Sequence, residues 1–445
     1  MRFLIVVVAA ATMAAAMLSG VAQADDRPRQ RGAAASPAPA RGGMVRVSSP
    51  DEAVDLALRR SPLVGSAEAA TRAARGELRQ AGLLPNPELS VTAENAAGTG
   101  QYRGARSLET TAELRQRLEV GGQRAARVGV AQSEVALAER ELLAARLDLV
   151  RDVRKALADA IAARRAVAIE AERARLAQET LRTARERVQA GRDAVLQERR
   201  AEVVLSTAEL GRQRAERMAE LALRVLATLL AADTVELSRS DRWFDQIGSA
   251  PDGAGAPQPE EPAANPDFAR WNDALQRAQA ALELERRRAV PDVTLGLGVR
   301  RYRETHDTAM LLSLSVPLPV FDRNQGGIAR AGAQLSQAEF AADNARRTIA
   351  TSLGQARAQL AIAWREANGL RRSVLPAAEQ AFGFARAGYQ EGRFAFLEVL
   401  DAQRTLFEAR GQLNEALREF HMRRAEADRL AGVPNLPTQS AGDRR

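Results

Sequence analysis

Between residues 123 and 190 apolar residues return at steps of three and four, as Val150, Val153, Leu157 and Ile161 do, with Arg, Glu and Gln between them. That period puts one apolar stripe on a helix and charge on the rest of its surface. The stretch has no proline and a single glycine, Gly129. Its Ala, Leu, Arg, Glu and Gln are strong helix formers. The spacing predicts one helix over 123–190, about 100 Å long at 1.5 Å per residue. No ordinary globular core needs such a helix, whereas a bacterial periplasm has to be crossed.

The period falls to two in four places. Leu89, Val91 and Ala93 alternate with Ser90, Thr92 and Glu94, predicting a strand over 88–95. A second strand, over 108–119, sets Ala112, Leu114 and Leu118 against Glu109, Thr111, Glu113, Arg115 and Arg117. Val293, Leu295, Leu297 and Val299 alternate with Thr294, Gly296, Gly298 and Arg300 over 292–301, and Leu312, Leu314 and Val316 with Leu311, Ser313 and Ser315 over 309–317. Each strand is polar on one side.

The chain therefore repeats itself. Ser61-Pro62 and Asn265-Pro266 each open a helix, and prolines at 85 and 291 stop it. A strand pair, a long helix (123–190, then 326–391) and a second helix (194–232, then 394–431) follow. The helical turns match best: Arg185-Glu186-Arg187-Val188-Gln189-Ala190-Gly191-Arg192 is echoed by Arg386-Ala387-Gly388-Tyr389-Gln390-Glu391-Gly392-Arg393. Pro376 is expected to kink the second long helix near its far end.

The N-terminus reads as a secretory signal over 1–24. Arg2 precedes an apolar run from Phe3 to Leu18, and Ala22-Gln23-Ala24 forms a cleavage site before Asp25. The alternative, a membrane anchor, has an apolar run short for a span. Residues 25–45 are expected to be disordered, 46–232 to form the first repeat, 233–264 a linker with Trp243, Phe244 and Ile247 able to dock, 265–432 the second repeat, and 433–445 a flexible tail.

Composition narrows the function. The chain has no cysteine, which removes disulfides, thiolate metal sites and cysteine nucleophiles. After residue 24 no stretch approaches twenty apolar residues, so any membrane crossing falls to strands. The net charge of +8 comes from arginines interleaved with Glu and Asp and accompanied by few aromatics, the pattern of solvated helices rather than of a nucleic-acid surface. The only histidines, His306 and His421, and the seven methionines form no metal-ligand cluster. No nucleophile with its base is legible, no cofactor is implied, and Gly296-Leu297-Gly298 lies in a strand with no helix after it, so it is not a phosphate loop. An enzyme is not expected.

Strands of this length can cross an outer membrane at a tilt, but the smallest transmembrane barrels have about eight. Open edges in lipid cost several kcal/mol for each unpaired backbone group. Four strands per chain therefore require oligomerisation, as a dimer, trimer or tetramer. The alternative is a soluble pair of hairpins packed on the helices.

The duplicated plan, the glycine turns and the strand-to-helix boundaries resemble the TolC family of outer-membrane efflux proteins over residues 46–432. Residues Val316-Pro317-Leu318-Pro319-Val320-Phe321-Asp322-Arg323-Asn324-Gln325-Gly326-Gly327 resemble the strand exit of its CzcC-like, heavy-metal branch. The resemblance implies an α+β, mainly α fold. It further implies a homotrimer with a shared twelve-stranded barrel and a periplasmic α-helical tunnel. The location implied is the outer membrane of a Gram-negative bacterium, extending into the periplasm. The implied partners are outer-membrane lipid, a periplasmic adaptor and an inner-membrane pump of the resistance-nodulation-division type. The exported substrate would be heavy-metal cations, or else drugs and other organic compounds. A periplasmic coiled-coil adaptor is a third reading, which the duplicated hairpins oppose.

By the same resemblance the turns at Gly191 and Gly392 close the inner end of the tunnel. Arg192, Val195, Leu196, Arg393, Phe396 and Leu397 then lie on the surface that receives the adaptor, unless these turns are simple helix stops. Glu398 and Asp401, three apart on one helix face, match acidic positions at the tunnel constriction together with Tyr389. In three copies the two would make a ring of six carboxylates favouring cations. The alternative is a surface Glu and Asp beside Arg393 and Arg404. Gln197 and Phe394 stand where an Asp and an Arg link helices elsewhere in the family, so that link is absent.

Overall fold

A computed structural model describes residues 43–238, 241–251 and 265–432. The expected signal segment, residues 25–42, the Gly/Pro-rich part of the linker (252–264) and the tail 433–445 lie outside these described residues.

Local chemistry starts the first two helices. α1 (Pro50–Arg60) starts with a reciprocal cap. Ser49 Oγ accepts from the Glu52 N–H at 3.2 Å while Glu52 Oε2 accepts from the Ser48 N–H at 2.7 Å. Pro62 opens α2 (Pro62–Ala81), where its missing N–H costs nothing. The long helix α3 (Gln123–Gln189) runs unbroken and is followed by α4 (Val195–Leu229). In the second half α5 (Pro266–Arg288) precedes the strands, and α6 (Gln325–Gly369), α7 (Leu375–Gln390) and α8 (Phe396–Ala431) follow them.

The second long helix is interrupted where proline demands it. Residues Leu370–Val374 wind as a π-helix, with the Leu375 N–H donating to the Leu370 carbonyl five residues back. Pro376 has no N–H to continue the ordinary ladder, and the wider turn just before it absorbs the defect.

Four strands, β2 (Glu88–Glu94), β3 (Glu109–Leu118), β5 (Val293–Tyr302) and β6 (Thr308–Ser315), form one antiparallel sheet in the order β2-β3-β5-β6. Register sorts its two faces. Leu89, Leu114, Leu297 and Leu312 lie side by side across all four strands, as do Val91, Ala112, Val299 and Met310. The alternate rows carry Thr92, Thr111 and Arg300, then Ser90, Glu113 and Gly298. Slipping one strand by one residue would mix the faces.

Gly296 and Gly298 acquire a purpose here. A Cβ on Gly296 would stand 2.2 Å from both Glu113 Oε1 and Ser313 Oγ, so the absent side chains leave a floor on which Glu113 lies. Arg300, one row further, donates to Thr111 Oγ1 at 2.9 Å and pairs with Glu94 and Glu109.

Two short strands depart from expectation. β1 (Met44–Val47) and β4 (Thr234–Leu237) pair in parallel, Val45 opposite Val235 and Val47 opposite Leu237. β1 thus reaches into the segment expected to be disordered, and the linker opens as a strand. Beyond β4 the linker docks firmly. Phe244 and Ile247 are buried in the main core with Val54, Val153, Leu157, Leu226 and Phe420. Asp241 accepts from Arg164 and Arg165, each at 3.0 Å, and the Arg165 hydrogen bond holds its carboxyl below the usual range. His421 Nε2 lies 2.8 Å from the Phe244 carbonyl oxygen, and its ring stacks on Phe244. Burial pulls the imidazole down to about 4, so it is neutral at physiological pH.

Candidate functional site

The two hairpin turns share one geometry. At the α3–α4 turn Gly191 has φ +67°, the Arg192 N–H donates to the Arg187 carbonyl at 2.9 Å and the Gly191 N–H to the Val188 carbonyl at 3.0 Å. At the α7–α8 turn Gly392 has φ +77°, with Arg393 donating to Gly388 at 2.7 Å and Gly392 to Tyr389 at 3.0 Å. Both are Schellman caps, whose left-handed residue favours glycine.

A small separate core underlies the tips. Leu181, Ala184 and Ala201 of the first hairpin pack with Ala385, Tyr389, Phe396 and Val399 of the second. Alanine at three of these positions lets the helices approach closely. Above this core sits a three-residue clasp. Asp193 Oδ2 accepts from Arg187 Nε at 2.9 Å and from the Tyr389 hydroxyl at 3.0 Å. The Arg187 guanidinium also lies 4.7 Å from the centre of the Tyr389 ring. The Arg187 hydrogen bond holds the Asp193 carboxyl below its usual range. Burial first, and then the hydrogen bond to Asp193, push the Tyr389 phenol up to about 12.

Several tip residues stand apart from the roles the sequence suggests. Val195, Leu196 and Leu397 are exposed, as are Arg192 and Arg393. Phe396 is only 4% exposed, its ring 5.6 Å from that of Tyr389. It belongs to the tip core and not to a docking surface, because the α8 stripe that meets the first hairpin begins at this residue. Tyr389 is buried too, where it joins the two hairpins. Glu398 and Asp401 are exposed on the same helix, and among the described residues neither forms an ion pair, although Asp401 lies close enough to Arg404 to attract it. Their expected neighbours are engaged elsewhere, Arg393 with Glu391 at 3.0 Å and Arg404 with Glu408 at 2.7 Å. Phe394 lies against the bare backbone of Gly388, where an added Cβ would come within 2.1 Å of its ring. Gln197 makes no link, and its Oε1 is buried without a partner.

Arg187 and Asp193 were not singled out by the sequence. The signal that could have found them is the asymmetry of the two turns: Asp193 follows the first glycine by two residues, and Phe394 stands at the same place in the second.

Comparison with known proteins places this architecture. The family model described as outer membrane efflux protein matches residues 53–232 and 260–433. The chain belongs to the outer membrane efflux protein family. The cobalt-zinc-cadmium resistance protein CzcC of Cupriavidus metallidurans is 30% identical over 359 residues, spanning 80% of this chain and 83% of that protein. The pyoverdine export outer membrane protein OpmQ of Pseudomonas aeruginosa is 30% identical over 203 residues, spanning 43% of this chain and 41% of that protein. The crystal structure of CusC shares the fold with a TM-score of 0.72 at 19% identity, covering 86% of this chain and 91% of that one.

This efflux protein is thus an outer-membrane channel component, mainly α with a strand sheet. Among the described residues no helix is long and apolar enough to cross a membrane, and no group of three His, Cys, Asp or Glu residues could hold a metal ion.

Proposed function

We propose that three copies of this efflux protein form one duct that passively exports heavy-metal cations as the exit of a tripartite resistance-nodulation-division system. The observation that carries the reading is a matched pair of open edges. β2 and β6 end the sheet, each with backbone groups unpaired. The helices beside the sheet contact one another in the order α2, α3, α5, α6, so α2 and α6 end that row on the same two sides, and α6 packs further along its length on α8. A copy is therefore a wall segment. Three copies of four strands give twelve, enough to close a barrel and remove the edges. The apolar sheet rows then face lipid, and the rows bearing Arg300, Glu113 and Thr111 face the lumen. Further down, α4 packs mainly on α3 and leaves Val203 and Leu210 exposed seven residues apart, a seam for a neighbouring helix.

The relative named for cobalt, zinc and cadmium aligns over 80% of the chain, which supports metals as cargo. The pyoverdine exporter, aligned over 43%, supports an organic cargo as the second reading. The duct performs no catalysis, holds no cofactor and draws its energy from the pump. Val195, Leu196, Leu397, Arg192 and Arg393 surround the two glycine turns, and an apolar surface rimmed with charge suits the helical hairpins of an adaptor. Growth of a deletion strain on graded zinc, cobalt, cadmium, nickel and copper beside an organic panel tests the cargo. Sensitivity confined to metals, restored by the intact gene, is the expected result; sensitivity confined to organic compounds would transfer the assignment to the second reading.

Glu398 and Asp401, unpaired on an exposed face near the turns, form the constriction in this reading. Replacing both together (Glu398→Gln with Asp401→Asn) should move the reversal potential in a salt gradient toward zero in planar bilayers. Stability should change little, since Glu398 has no ion-pair partner among the described residues and Asp401 loses only a solvent-screened attraction to Arg404. An unaltered reversal potential would remove them from the lumen.

A further inference from the structure

The geometry points to a seal between copies just below the sheet: we propose that segment 316–321 of one copy lies over Leu83 and Leu84 of the next, with Arg323 reaching Glu88 there. The proposal rests on the three-copy reading and names the residues that close it.

The segment is an apolar finger that no described residue covers. Phe321 is 91% and Leu318 80% exposed, and Val316 and Val320 are exposed as well. Leaving two large side chains almost wholly in water has a hydrophobic cost that only a partner or lipid removes. The finger is also braced. Pro317 and Pro319 restrict its backbone. Arg323 Nε donates to the Pro319 carbonyl at 3.1 Å, and the Asn324 N–H to Asp322 Oδ1 at 2.8 Å. Asn324 Nδ2 ties its base to α5 through Glu285 Oε2 at 2.6 Å. A shape held this way meets a partner with little ordering cost.

Topology supplies the partner. The finger leaves β6 directly after Ser315, and Leu83 and Leu84, both exposed, lie just before β2. One register row runs through Glu88, Arg115, Gly296 and Ser313, so both features lie at the same level on opposite edges of the sheet. Within one copy they cannot meet. When β6 of one copy pairs with β2 of the next, they are brought together, and the antiparallel alternation of the sheet continues.

Charge agrees. Among the described residues the Arg323 guanidinium has only a backbone carbonyl for company, and Glu88 has no cationic partner. One sits at the base of the finger and the other at the first residue of β2.

Because the chain lacks cysteine, a clean test is open. A double variant, Leu84→Cys with Phe321→Cys, is purified in detergent and treated with a short bismaleimide. Covalent dimers and trimers on a denaturing gel are expected from the double variant, with monomers from each single variant. Light scattering on the same sample counts copies. Three copies with no covalent product would overturn the seal alone, and single copies would overturn the three-copy reading beneath it. In brominated lipid a Phe321→Trp variant should keep the fluorescence it adds to that of the three native tryptophans. Quenching of most of that signal would assign the finger to lipid and overturn the seal.

Discussion

Replacing Asp193 by alanine is expected to loosen the hairpin tips without unfolding the protein, and single channels in planar bilayers should pass more current. Asp193 Oδ2 is the shared acceptor for Arg187 of its own hairpin and Tyr389 of the other. Without it the buried Tyr389 hydroxyl has no acceptor, at a cost of about 1–3 kcal/mol per copy. The Arg187–Asp193 pair adds less, since both side chains retain solvent contact. Tyr389→Phe removes only the hydroxyl and should produce a smaller rise. The pH dependence has a definite sign. Asp193 has a depressed pKa, so its contribution is full above the ordinary value of 3.8 and is lost as pH falls through the lower native value. Tyr389 is raised from 10.0 to about 12, so its contribution is full below the ordinary value and is lost as pH rises through about 12. The clasp should therefore hold across the whole neutral range, and only acid below the lowered native value of Asp193 should reproduce the alanine variant. Wild-type conductance in the alanine variant would show that the clasp is not what keeps the tips together.

The clasp also marks the limit of what periodicity reveals. The 3.6-residue stripe over α3 and the twofold alternation over β2, β3, β5 and β6 extend over many residues, so the signal accumulates and the elements are legible. β1 and β4 have four residues each and are joined by a parallel pairing across 190 positions, a pairing no local pattern contains. Phe396 reads as a surface residue because it sits beside Leu397 at a turn, and only the orientation of α8 turns one ring inward and leaves the other side chain in water. The effect of Pro376 could be anticipated, because a missing N–H disrupts any helix. That the repair is a π turn at Leu370–Val374 depends on packing. The Arg187–Asp193–Tyr389 contact joins positions 196 residues apart, whereas the sequence pattern points to Gln197, four residues further along the chain.

Arg429→Met should lower thermal stability more than any single change at the tips. The Arg429 side chain is 6% exposed and joins three helices. Its Nε donates to Asp148 Oδ1 of α3 at 2.8 Å, and its Nη1 to Asp267 Oδ2 of α5 at 2.7 Å. Methionine keeps most of the apolar stem but leaves Asp267, which is mostly buried, without its cation. Breaking a buried pair in this way costs about 3–5 kcal/mol, and the remaining exposure of Asp267 points to the lower end. Asp148 suffers less, because Arg151 stays at 3.0 Å. Adding Asp267→Asn to Arg429→Met removes the stranded charge, so the double variant should unfold at a higher temperature than Arg429→Met alone, as followed by helical circular dichroism. A double variant no more stable than the single one would mean that lost packing, not the orphaned carboxylate, sets the cost. The location gives the contact its reach. α8 starts at the tip core with Phe396 and ends beside the first turn of α5, the helix that leads into β5. Asn265, which caps α5 through the Asp267 N–H at 2.8 Å, also donates to the Leu430 carbonyl at 2.5 Å. Arg429 and Asn265 therefore fasten the far end of the tip hairpin to the element that enters the sheet.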